Sequence, residues 1–291
     1  MTDEGYFPRG RSLLRRVHEE RAVGLLYGQR ALGIGAIAPL NFIGTLRRTR
    51  AREMPLQRLV HTAKAVETIF FGSRAEADEV LAAVNRLHQR VEGELPEDAG
   101  SFRKGTPYSA FDPELMLWTV AVIADSARVF YELFVAPLSP SERDRLWDDY
   151  VRFGELFGMP RDVAPAGYRE FRAWYEERLA SDEAHLTDDA RYVGSAIMFQ
   201  IPVPPSRWAA MRVHNLIMLG ALPARVRELY GLSWTPAYQL AYRATVAGLR
   251  APRPLAPQRV RTGRCTAHFD LVAATERALS ARGRPIPGAL A

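Results

Sequence analysis

Cysteine is nearly missing from this chain. Cys265 is the only one in 291 residues, so an intramolecular disulfide is impossible and a disulfide-stapled secreted scaffold is excluded. The start from Met1 to Pro8 is polar with two acids. Arg15-Arg16 is followed by Val17-His18-Glu19-Glu20 and not by an apolar run, so neither an ordinary nor a twin-arginine export signal is expected. A cytoplasmic protein in a reducing compartment is the expectation. Lysine is scarce as well: Lys64 and Lys104 stand alone, and the net charge of +6 is carried by arginine. Basic patches interleaved with aromatics are not evident, which argues against nucleic acid as a partner; the sign permits anionic lipid or acidic ligands without requiring them. The longest weakly polar stretch, Ala31 to Leu46, holds Pro39 and Asn41 and is too short to span a bilayer. It is expected to line an apolar pocket or to make peripheral contact with a membrane surface.

Catalytic signatures are missing too. The chain has no glycine-rich phosphate loop, no His-Glu-x-x-His, no Gly-x-Ser-x-Gly and no Cys-x-x-Cys. Asp182-Glu183-Ala184-His185 has the carboxylate-histidine spacing of di-iron bundles, but only once and in a polar turn, where such a site needs two copies and further carboxylates. Cys265 lacks the aromatic and glycine surroundings of a thiolate haem ligand and reads as a half-buried thiol. His214, beside Asn215 on an apolar helix, reads as structural or as a pocket residue, and His18 and His268 carry no interpretable signal. Alternation sufficient for a sheet is lacking, as is any repeat of fixed period.

What is present is helical periodicity. A hydrophobic content of 47% over this length supports one domain with a large core. A basic amphipathic helix is expected over 11–30, loosened by Gly33 and Gly35 and broken at Pro39. Asp112-Pro113 predicts the start of a long apolar helix running to about Val135, and Ser139-Pro140-Ser141-Glu142 predicts the next, ending at Gly158. Further helices are expected over 166–180, 187–199, 205–219, 223–230, 236–249 and 266–281. The proline- and arginine-rich segment Ala251 to Gly263 reads as an extended surface strap. The class is all-α, about ten helices in a single domain over 1–291, with a core at about 20–250 followed by strap, last helix and tail.

Residues 55–93 carry the most chemistry. Arg58, His61 and Thr62 stand at i, i+3 and i+4 and share one helix face with Leu59 and Ala65 nearby. Phe70-Phe71-Gly72 ends that helix, and Ser73-Arg74-Ala75-Glu76 is a capping box that starts its partner. In the second helix Ala77, Val80, Leu81, Val84, Leu87 and Val91 form an apolar stripe that includes His88, which is therefore expected to point into the core. Two readings of His88 stand. It is either a core histidine bonded to a carbonyl or an axial ligand to haem iron, for which one imidazole on an apolar face suffices.

The order of these pieces resembles the MpaB-type oxygenases, which include the latex-clearing rubber oxygenases. The resemblance is carried by Arg58-x-x-x-Thr62, Phe71-Gly72-Ser73-Arg74-Ala75-Glu76-Ala77-Asp78 and His88-x-x-Val91-x-Gly93. It continues in Pro107-Tyr108-Ser109-Ala110-x-Asp112-Pro113, Tyr131-Glu132-x-Phe134, Pro137-Leu138-Ser139-x-x-Glu142-x-Asp144 and Leu222-Pro223-x-x-x-Arg227-x-x-Tyr230-Gly231-Leu232. It implies a globin-like core, haem b, and dioxygen chemistry on an apolar small molecule, terpenoid or polyketide-like, including C=C cleavage. By resemblance His88 is the proximal ligand, and Arg58 and Thr62 lie on the helix facing the haem. Arg58 otherwise pairs with a structural acid, Asp112 or Glu132, and Thr62 otherwise back-bonds to its own helix. Two departures stand out: Ala38-Pro39 where relatives show His-Pro, and His61 where a basic residue or lysine is common. On the distal side His61 would ligate iron at rest or act as acid and base; alternatively it faces away. The rival readings are a haem-free helical binding protein and a haem enzyme using peroxide or doing non-redox chemistry.

Overall fold

The computed structural model describes residues 4–47 and 55–282. The helices, in order, are α1 (Leu13–His18), α2 (Arg21–Gly24), α3 (Tyr27–Gly35), α4 (Pro39–Arg47), α5 (Pro55–Phe71), α6 (Arg74–His88), α7 (Pro113–Phe134) and α8 (Pro140–Leu156). They continue with α9 (Tyr168–Ala180), α10 (Asp188–Phe199), α11 (Trp208–Ala221), α12 (Ala224–Tyr230), α13 (Pro236–Arg250), α14 (Gln258–Arg261) and α15 (Thr266–Ala281). Among the described residues the fold is all-α but for one short antiparallel pair, β1 (Glu92–Glu94) with β2 (Pro107–Ser109), in register Gly93 opposite Tyr108. Strands of three residues are too short for alternation to show in a sequence.

Helix α7 is the spine. The Asp112 carboxylate accepts from the amides of Glu114 (2.9 Å) and Leu115 (3.3 Å), Pro113 occupies the first turn, and the helix then buries residues on nearly every side from Leu115 to Phe134. Such all-round burial requires neighbours on all faces, and α2, α3, α8 and α13 supply them. One apolar core runs from Phe7 to Tyr230, with Trp118, Trp147, Tyr150, Tyr175, Phe130 and Phe171 among its largest fully buried members.

Several expectations are corrected. The helix expected over 11–30 is divided into α1, α2 and α3, because Glu20 leaves the helix to bridge Thr262 and Gly24 lies against the Cys265 thiol, where a Cβ would crowd the sulfur. Gly33 and Gly35 do not loosen the chain: α3 runs through both, and at Gly33 a side chain would overlap Met198 of α10. Pro39 begins α4 and breaks nothing there, as its missing N–H is harmless in a first turn. Within Ala31 to Leu46, Ala31, Ile34, Ala36, Ile37, Ala38 and Phe42 are core, so this stretch does not rest on a membrane surface. The strap over 251–263 is not extended; it folds into a 3-10 turn at Arg253–Leu255 and then α14.

Two polar features sit inside the core. Asp125, in the middle of α7, meets Arg30 of α3 (2.9 Å), Arg128 (2.8 Å) and Arg172 of α9 (2.7 Å), and Arg30 also donates to Ala221 O and Ser126 Oγ. Burial pushes the Asp125 carboxyl up, but the three guanidinium groups outweigh it and hold it at about 2. His18 shares a 2.6 Å hydrogen bond with Tyr150 and touches Tyr27 and Phe70; burial pushes its pKa down to about 3, so it stays neutral in the fold. An unfolded chain takes up that proton below about pH 6.5, so stability falls as pH drops from there toward 3. Urea midpoints measured from pH 7 to pH 4 are expected to fall more steeply for the native chain than for His18→Gln, by up to about 1.4 kcal/mol per pH unit; parallel profiles would contradict the assignment.

Candidate functional site

Helices α5 and α6 form the expected hairpin. Ser73 Oγ accepts from the Glu76 amide (3.2 Å) while Glu76 Oε2 accepts from the Ser73 amide (2.8 Å), completing the capping box at the bend. The N-terminal segment closes tightly over that bend. A side chain at Gly5 would overlap the Gly72 carbonyl, and Tyr6 Oη donates to Asp78 Oδ1 at 2.5 Å.

The other side of α5 lies on α15, and the two helices exchange carboxylates. Glu276 of α15 accepts from the amides of Leu56 (3.0 Å) and Gln57 (2.8 Å), satisfying free donors of the first turn of α5. In return Glu67 of α5 accepts from the Cys265 amide and the Thr266 hydroxyl, both at 2.7 Å, at the start of α15. Each carboxylate meets the positive end of the other helix's dipole. Glu276 and Glu67 are both buried, and burial pushes the Glu276 carboxyl up against the opposing pull of its two amides. Lys64 and Asp270 add a half-exposed ion pair at 2.5 Å, worth little by comparison.

Apart from the buried side of Leu56, Leu59, Val60 and Ala63, α5 has a second face that bears His61, Thr62, Ala65 and Ile69. Its burial is graded. Ile69 next to the bend is buried, Ala65 is half-buried, and Thr62 and His61 are exposed. The Arg58 side chain lies outside the described residues. Across the hairpin α6 repeats the gradient, from fully buried Ala77 through half-buried Val80, Leu81 and Val84 to Leu87, which is 59% exposed. His88 is half-buried, and this corrects the expectation that it points into the core. The rings beside His88 are Phe111, from the turn before α7, and Phe157, at the end of α8, at centroid distances of 6.2 and 6.3 Å. Val91, just beyond α6, packs where a side chain at Gly44 of α4 would stand.

The acids weighed as partners for Arg58 are otherwise engaged. Asp112 caps α7, and Glu132 accepts from Arg143 at 2.7 Å and from Arg128 at 2.5 Å. The remaining histidines are accounted for by other contacts or by position. His214 is held between Asn215 and Gln29 and its pKa is lowered by burial, the backbone of His185 bonds to Ile37, and His268 is exposed on α15. Asp182-Glu183-Ala184-His185 assembles no ligand cluster, and among the described residues no group of three or more His, Cys, Asp or Glu side chains could hold a bare metal ion. A single half-buried imidazole on an apolar stripe between aromatic rings fits instead a planar group that brings its own in-plane donors and needs one more, which is the demand of haem.

Three comparisons bear on this site. Residues 15–251 match the family model described as ER-bound oxygenase mpaB/B'/Rubber oxygenase, catalytic domain. The chain belongs to this family of oxygenase catalytic domains. Two mycobacterial relatives, Uncharacterized protein Mb2261 of Mycobacterium bovis and Uncharacterized protein Rv2237 of Mycobacterium tuberculosis, are each 24% identical over 204 residues, 69% of this chain and 75% of theirs. No solved structure matches it. The matched region stops before α15, so the helix that clamps α5 lies outside it.

The residues that sequence reasoning missed are Glu67 and Glu276. Their signal was present, since each is an acid placed within the buried stripe of its helix. Replacing Glu276 by Gln should cost about 1–3 kcal/mol. It should also raise hydrogen exchange at the Leu56 and Gln57 amides while leaving the bend near Ser73 protected; unchanged protection at those amides would show that the cap does not hold α5.

Proposed function

We propose that this chain is a haem-b-dependent oxygenase acting on an apolar small molecule, terpenoid or polyketide-like, by oxidative modification or C=C cleavage. The observation that supports this most is the paired gradient of the α5–α6 hairpin. On α5 the burial falls from Ile69 through Ala65 to exposed Thr62 and His61, and on α6 the apolar stripe falls from Ala77 through Val80, Leu81 and Val84 to exposed Leu87, with His88 half-buried beside it. An apolar stripe left part-covered favours an apolar ligand, and the family to which the chain belongs favours oxygen chemistry.

His88 would hold the cofactor through its imidazole, with Phe111 and Phe157 beside that ring. Haem, when bound, supplies the redox chemistry by which dioxygen is used on a substrate that has no ionisable handle. The chain's own residues do the rest. Arg58 offers a planar fork suited to a carboxylate such as a haem propionate, and Thr62 offers a hydroxyl one position on from His61. His61 is the proton-handling residue of the set, because an imidazole can both accept and donate a proton and this one is exposed on the same face. The apolar stripe Val80, Leu81 and Val84 excludes water and receives a hydrocarbon substrate.

Haem-loaded protein incubated with a panel of apolar alkenes should form aldehyde or ketone products with air and none without it. His61→Ala should lower kcat about a hundredfold or more while leaving haem content unchanged. Turnover independent of dioxygen would contradict the oxygenase reading, and an undiminished His61→Ala variant would remove His61 from it.

A further inference from the structure

The arginines of this chain are not spread evenly. Between Gln200 and Arg264 stand ten arginines and one acid, Glu228, an excess of nine positive charges in a chain whose whole net charge is +6, so the remainder is net negative. The same segment carries most of the large apolar side chains left in solvent. Trp208 is 59% exposed, Leu240 71% and Leu255 88%, and Val213, Tyr238, Leu249 and Val260 are exposed as well.

The fold gathers part of this segment onto one pair of helices. Helix α13 packs along α11, with Tyr242 lying where a side chain at Gly220 would stand. Trp234, just before α13, sits under Arg227 and against Tyr238 and Tyr242, while Arg227 reaches back to the carbonyls of Leu219 and Leu222 at the end of α11. The start of α13 therefore meets the end of α11, and the pair is antiparallel. The exposed start of α11, with Arg207, Trp208, Arg212 and Val213, and the exposed end of α13, with Leu249 and Arg250, extend toward the same end, and the turn holding Leu255 follows five residues later. Helix α13 buries no residue at all, although α5, α7 and α10 bury many. Arg207, Arg212, Arg243 and Arg250 are all exposed, and among the described residues none of the four is in an ion pair.

We propose that this end of the α11–α13 pair docks the protein on an anionic lipid bilayer, with Trp208, Leu249 and Leu255 entering the headgroup boundary and Arg207, Arg212 and Arg250 meeting lipid phosphates. Arginine beside exposed leucine and tryptophan is the composition of an interfacial surface, in which charge attracts and apolar area anchors. Nucleic acid would use the arginines but leave the leucines in water. A second copy of the chain would bring a like excess of positive charge against this one. No helix among the described residues is long and apolar enough to cross a membrane, so contact through the described residues would be peripheral. A bilayer is also where apolar small molecules collect, though the docking stands whether or not the chain carries haem.

The test is co-sedimentation of the full chain with vesicles of phosphatidylcholine alone and of phosphatidylcholine with 30 mol% phosphatidylglycerol, the latter at low and high salt, about 0.05 and 0.5 M. Binding is expected only with phosphatidylglycerol, and high salt should weaken it. The double variants R212E/R250E and W208A/L249A should each weaken it by about tenfold or more with far-UV circular dichroism unchanged, since all four side chains are exposed. No binding, equal binding to neutral vesicles, or native affinity in both variants would overturn the proposal. So would tighter binding to duplex DNA than to vesicles, or a dimer in light scattering that W208A/L249A dissociates.

Discussion

The exchange of carboxylates between α5 and α15 is the interaction on which the candidate site depends. A helix that carries its polar residues on a half-open face cannot be fixed by packing on that face. It must be held from behind, and Glu276 and Glu67 do this at the two helix starts, where free N–H groups give a buried carboxylate the most in return. Because each acid belongs to the other's partner, neither helix can slide by a turn without stranding a buried charge. His61 and Thr62 inherit their direction from that register.

The same logic operates at larger scale around Asp125. A carboxylate in the middle of the longest apolar helix is costly unless paired, and three arginines from α3, α7 and α9 pair it. The arrangement leaves an excess of positive charge in the interior, which Glu132 and Glu176 reduce through Arg128 and Arg172. A buried ion network of this kind adds less to stability than apolar packing would, but it specifies which helices meet, since only this arrangement leaves none of the charges unpaired. Together the two sets of carboxylates fix the frame on which the α5–α6 hairpin sits.

Much of this was legible in the sequence where local chemistry decides the outcome. Asp112-Pro113, Ser73-x-x-Glu76 and Ser139-x-x-Glu142 cap helices as their residue types require, and the 3.6-residue period placed α7 to α13 and α15 within a few residues. Decisions taken by distant partners were not legible. Gly33 reads as a weak point because nothing local shows that Met198 lies against it, and the apolar stretch from Ala31 reads as either pocket lining or membrane contact because nothing local shows α7 and α10 covering it. His88 was placed in the core because periodicity reports which face is apolar, not whether another element reaches it. Glu67 and Glu276 each show as an acid within a buried stripe, but the helix start that each caps, 198 to 220 residues away, leaves no spacing to find.

The central claim, that His88 is the axial ligand of a haem seated in the hairpin, is tested most directly by the absorption spectrum of the haem-loaded full chain beside that of His88→Ala. The account predicts a Soret band at one haem per chain, lost in the variant while its helical circular dichroism is unchanged. A chain that takes up no haem, or a variant that keeps the native Soret band, would contradict it.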